Sequence, residues 1–135
     1  MDLLALSPEE TAQCFLKHPT TGENILTDKK KPMFVEIYHK EGKKFQALNI
    51  ARARKNMAIF EKYKGSDEVS LSDDDQTAMV KNDTDLMIGM TKSLLIQIGK
   101  KEVTDAAEFY NNSALEVFRM QVEAFLGNTG NFLKA

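Results

Sequence analysis

Nucleophilic catalysis needs a thiol or hydroxyl held beside a base, and the chain has one cysteine, Cys14, and two histidines, His18 and His39. Cys14 and His18 lie in a stretch that alternates like a strand. Four residues of extended chain separate them by about 13 Å on one face, too far for a thiolate–imidazole pair. Without HExxH or CxxC, these three residues do not compose a zinc site. The seven glycines are scattered and form neither a GxGxxG nor a P-loop pattern, so no phosphate cradle is indicated. Asp73-Asp74-Asp75 lacks the alternating oxygens and closing glutamate of an EF-hand loop, and a solvated acidic segment accounts for it. No carboxylate pair is marked for acid–base work. The expectation is a protein that is not an enzyme, with no catalytic residues, no metal and no cofactor.

The remaining chemistry is charge. Residues 1–64 carry 12 Lys/Arg against 8 Asp/Glu, and residues 65–135 carry 6 against 12. The halves are therefore about +4 and −6 within a net charge of −2, a split that favours association between halves, between subunits or with a charged partner. Lys43, Lys44, Arg52, Arg54 and Lys55 form a basic helix face of the kind that neutralises a nucleic-acid backbone. Interleaved aromatics and helix-turn-helix spacing are lacking, so the plainer reading is a solvated face meeting the acidic second half. Nucleic-acid binding or regulation through these five residues is the alternative function class.

The elements that must position such groups follow from hydropathy. A chain of 135 residues, 42% hydrophobic and 28% charged, is the length of one domain and can bury a core without disulfides. A lone cysteine fits a reducing cytoplasm, and the first ten residues lack the basic and apolar regions of a signal peptide. Ser7-Pro8-Glu9-Glu10 has helix-start grammar. Thr11–His18, Glu23–Thr27 and Met33–Tyr38 read as strands joined by a Pro19-Thr20-Thr21-Gly22 turn and a lysine-rich connection.

From about Lys44 to Lys64 the period is helical, with Gly65 as the stop. Ser66–Asp75 reads as an acidic loop, and Ser72 with Asp75 as the cap of the next helix. That helix is expected to run through the most apolar stretch, Asp85–Ile98, to Gly99. Asp105 starts a short helix, Ala106–Tyr110. Ser113 starts the last one, which buries Leu115, Phe118, Val122 and Phe125/Leu126 and ends at Gly127. The fold class is α+β: a single domain with a three-stranded N-terminal antiparallel meander (1–40), then a mainly helical part with about four helices.

Two stretches of text resemble a known family. Phe15-Leu16-Lys17-His18-Pro19-Thr20-Thr21-Gly22-Glu23, then Lys31-Pro32-Met33 and Val35-Glu36-Ile37-Tyr38, is similar to the opening of tail assembly chaperones of long-tailed bacteriophages. Val117-Phe118-Arg119-Met120-Gln121-Val122-Glu123-Ala124-Phe125, then Gly130-Asn131-Phe132-Leu133, resembles that family's close. The family often has Gly-x-Asp-Ser near residues 39–44 and Trp in its middle helix, and this chain has neither.

The resemblance implies a late, non-enzymatic protein of the host cytoplasm, absent from the mature virion. Such a protein coats the helical tape measure protein while the tail tube polymerises. It also implies a homo-oligomer, and in some members a frameshifted longer form whose extension recruits tube protein. Membrane association is not expected. Phe125, Phe132 and Leu133 are the candidates for the partner-binding surface, because the last two lie beyond the final helix cap. Their intramolecular alternative is packing back onto the apolar stretch at 86–98. A structural head–tail or tail component is a further alternative.

Overall fold

The structure is a computed structural model that describes residues 3–65 and 71–133. It is α+β. Strands β1 (Thr11–Phe15), β2 (Phe34–Tyr38), β3 (Thr91–Ile98) and β4 (Lys101–Val103) form one antiparallel sheet in the order β1-β2-β3-β4. The helices are α1 (Lys43–Glu61), α2 (Asp73–Met90), α3 (Ala106–Tyr110) and α4 (Glu116–Leu126). Short 3-10 turns occupy Leu3–Leu6, Ser113–Leu115 and Thr129–Phe132.

The sheet is sequential but interrupted, since the α1–α2 pair is inserted between β2 and β3. Its inner face carries Cys14, Val35, Ile37, Leu94, Ile96 and Val103, all buried. The helical layer supplies Leu86, Met87, Met90, Phe109, Tyr110 and Val122 to the same core. Period-2 alternation makes this possible. On the opposite face, Glu36 gathers Thr11 and Ser93 by hydrogen bonds of 3.2 and 3.4 Å.

The largest departure from expectation lies in the apolar stretch. The helix stops at Met90 and the chain continues, with no intervening loop, as strand β3. Leu86, Met90, Leu94 and Ile98 keep a helical spacing, but Leu94, Ile96 and Ile98 also alternate with Leu95 and Gln97. The strand reading wins through pairing: β2 has β1 on one side and needs a partner on the other. Val35 then meets Leu94, and Phe34 meets Leu95. Thr91 marks the switch, its Oγ1 donating to the Met87 carbonyl at 3.0 Å. Gly99 is accordingly the first residue of the two-residue β3–β4 hairpin loop, at φ +63°, where a side chain would be strained.

Residues 23–27 do not form the middle strand of a meander. β1 pairs directly with β2, and the 16–33 excursion carries isolated bridges at Lys17–Asn24 and Leu26–Pro32. Ile25 anchors it, giving its N–H to the Leu16 carbonyl and its carbonyl to the Met33 N–H. Ser7–Glu10 is not helical, because its backbone is engaged elsewhere: Glu9 N–H donates to Phe132, and the Glu10 carbonyl accepts from His39. Helix α2 starts at Asp73, inside the stretch expected to be an acidic loop. Asp73–Asp75 form the first turn of α2, where carboxylates suit the helix dipole, and residues 66–70 lie outside the described residues.

Capping follows the sequence at two helices. Ser72 accepts from Asp75 N–H, and Asp105 accepts from Ala107 N–H. At the last helix Asn112, not Ser113, caps the 3-10 turn that leads into α4.

Helix α1 rests on α2. Ile59 is buried, Leu48 packs at Gly89, and the amide of Asn82 donates to Asn56 at 2.9 Å. A Cβ at Gly89 would lie 2.9 Å from a Leu48 methyl, so the glycine permits that approach.

Candidate functional site

Cys14, His18 and His39 have different surroundings. Cys14 is buried on the inner sheet face, and burial pushes its thiol up to about 11 against the opposing charge of Lys17. It is a neutral core thiol. His18 Nδ1 accepts from the N–H groups of Thr20 and Thr21 at 3.1 and 3.3 Å, and Gly22, at φ +73°, donates to the His18 carbonyl. The His-Pro-Thr-Thr-Gly text therefore builds a turn. His39 is buried with its ring 4.8 Å from that of Phe132. Among the described residues, no group of three His, Cys, Asp or Glu is placed to hold a metal ion.

Asp75 has a structural use as well. Its carboxylate accepts from Tyr63 Oη at 2.5 Å and from Lys62 Nζ at 2.9 Å, and Ser72 N–H donates to the same phenol oxygen. The Tyr63 and Lys62 bonds hold the carboxyl below its ordinary range. This cluster closes the α1–α2 pair across the connection between them.

The five basic residues of α1 do not share a face. At about 100° per residue, Lys43 and Arg54 lie together, Lys44 and Lys55 lie a quarter-turn or more away, and Arg52 is opposite the first pair. Arg52 is engaged with Asp83 at 3.3 Å and Asn49 at 2.6 Å. Lys44 sits 5.7 Å from the centre of the Tyr38 ring.

The C-terminal candidates separate. Phe132 is 1% exposed, and its ring is 5.6 Å from that of half-buried Phe125. Asn131 ties the two by donating to the Phe125 carbonyl. Phe132 is thus a core residue and not a surface for a partner. It packs beside His39 and the start of β1, where no helix at 91–98 exists to receive it. Leu133 stays 46% exposed.

An open apolar groove does exist, built from elements that are distant in sequence. Buried Leu16, Ile96 and Phe109 form its bottom, and half-buried Ile25, Met33, Leu115 and Phe118 form its walls. Gln97 is the one polar residue on its lining. The volume is about 230 Å³, below the roughly 300–1,000 Å³ of small-molecule sites and of a size for one or two bulky side chains. The 16–33 excursion makes one side, β3 the back, and α3 with the start of α4 the other.

One end of the groove is pinned. Gln97 Oε1 accepts from Asp28 N–H at 2.7 Å, and Gln97 Nε2 donates to Asp28 Oδ2 at 2.9 Å and to the Gly99 carbonyl at 2.7 Å. Sequence reasoning placed Phe118 and Leu115 on an apolar helix face but did not foresee the groove. No local signal carries it, since it depends on β3 being a strand.

Comparisons with protein-family models, with curated protein sequences and with solved structures found no match to this chain. No helix among the described residues is long and apolar enough to cross a membrane.

Proposed function

We propose that this protein is a non-enzymatic assembly chaperone of the long-tailed phage type, which binds segments of the helical tape measure protein during tail tube assembly. The observation that carries the reading is the open apolar groove between Ile25, Met33, Leu115 and Phe118. Amphipathic helices are bound by grooves that accept their apolar anchors, and Met33 adds an adaptable wall. The resemblance at both ends of the chain supplies the identity of the client. Host cytoplasm, absence from the virion and tube-protein recruitment by a longer form belong to the same proposal.

Self-association belongs to the same proposal and is supported by exposed apolar residues on α1. Ile50, Met57 and Phe60 are 54%, 63% and 52% exposed and follow i, i+7, i+10 spacing along the outer side of α1. The nucleic-acid alternative loses support from Arg52, which is spent on Asp83.

Co-expression with the tape measure protein of the same genome tests the reading. A complex should co-purify and raise tape measure solubility, and Phe118→Asp should abolish it while leaving the far-ultraviolet circular dichroism unchanged. No complex, with the tape measure equally soluble alone, ends the proposal.

A further inference from the structure

The turn between groove residues Ile25 and Met33 carries three lysines and one aspartate. Lys29, Lys30 and Lys31 are consecutive and exposed, and none of them is in an ion pair among the described residues. They occupy the turn between groove residues Ile25 and Met33. Asp28, the first residue of that turn, is held by Gln97 of the groove lining. Buried Thr27 closes the turn: its N–H donates to the Lys31 carbonyl at 2.8 Å, and its Oγ1 accepts from Lys31 N–H at 3.2 Å.

Lys30 adopts φ +64°, a left-handed conformation in which glycine is the unstrained choice. Backbone strain of this kind needs surrounding structure to hold it, and the Thr27 and Gln97 contacts supply that. The one carboxylate in the turn, Asp28, is already paired with an amide. The turn therefore carries a net charge of about +2 between groove residues Ile25 and Met33, and its three lysines have no ion-pair partner among the described residues.

We propose that the groove selects an amphipathic partner segment whose apolar anchors are flanked by acidic residues, with Lys29, Lys30 and Lys31 reading that charge. The inference rests on the client-binding reading and narrows it to a partner chemistry. Apolar burial in the groove gives adhesion without register, whereas opposed charges at its rim fix orientation and suppress unlike partners.

The test uses two synthetic helical peptides of about 20 residues with the same Leu anchors at i, i+3, i+4 and i+7, one flanked by Glu and one by Lys. Binding to the full chain is followed by fluorescence anisotropy. The Glu-flanked peptide should bind about tenfold more tightly at low salt, with the preference shrinking as salt screens it. Lys29→Glu/Lys30→Glu/Lys31→Glu should reverse the preference. Lys43→Glu/Arg54→Glu/Lys55→Glu, with the same change of net charge on α1, which contributes no residue to the groove lining, should leave it intact.

Equal binding of both peptides, binding of neither, or equal sensitivity to both triple variants would overturn the charge inference. The tape measure co-purification decides the client-binding reading separately, so the two failures are distinguishable.

Discussion

The side chain of Gln121 on α4 pairs with the backbone of Lys17 in both directions. Its Oε1 accepts from Lys17 N–H at 2.9 Å, and its Nε2 donates to the Lys17 carbonyl at 2.8 Å. Lys17 lies just past the end of β1, an edge strand whose open groups would otherwise face solvent or another chain. The amide acts there as a substitute strand. Gln121→Ala should destabilise the protein by about 1–3 kcal/mol in urea unfolding. Gln121→Glu keeps an acceptor for Lys17 N–H but not the donor to the carbonyl, and should lie between. Equal stability of all three would mean that the clamp does not hold the edge.

Phe132 and Leu133 offer a sharper contrast, because they are adjacent but differ in burial. Phe132→Ala empties a site that is 1% exposed and should cost about 3–5 kcal/mol. Leu133→Ala, at 46% exposure, should fall within about 0.5 kcal/mol of the parent. Chemical denaturation of the two variants decides it, and similar losses would contradict the placement of the final turn.

Much of the fold was legible because it is local. Ser72 and Asp105 sit at helix starts as their spacing requires, the Val35–Ile37 alternation gives β2, and Gly127 follows the last helical residue of α4. The error at residues 91–98 was not local. Leu94 and Ile98 satisfy both periods, and the choice between them rests on Val35 and Phe34, some 60 residues earlier. The groove shares that dependence, since Ile96 reaches its bottom only if β3 is a strand. Burial of Phe132 was one of its two readings, but its partners were not legible, because His39 and Phe125 come together only in the folded chain.

Asp75 makes stability depend on pH with a definite sign. Hydrogen bonds from Tyr63 and Lys62 depress the carboxyl below its ordinary value in the folded state, whereas in the unfolded chain it titrates near the usual ~3.9. The contribution is therefore complete above that unfolded value and is lost as pH falls through the lower folded one. Asp75→Asn should lower the thermal midpoint at pH 7, and the gap to the parent should narrow as the pH drops below about 4. A gap independent of pH would show that packing, and not ionisation, is what Asp75 contributes. Tyr63→Phe should weaken the same pH dependence.

Lys30 sets stability against recognition at a single residue. Its φ of +64° costs an L-residue about 1–2 kcal/mol relative to right-handed backbone, and glycine would remove that strain. Glycine also loosens the unfolded chain, which offsets about 0.4–1 kcal/mol of the gain. Lys30→Gly should therefore leave stability unchanged or raise it by up to about 1.5 kcal/mol in urea unfolding. Lys30→Ala retains the strained backbone without the charge and should show no such gain. Both variants lose one of three ammonium groups beside the groove, so both should weaken preference for an acid-flanked peptide to the same extent. If Lys30→Gly is as selective as the parent, the lysine at this strained position serves something other than the groove.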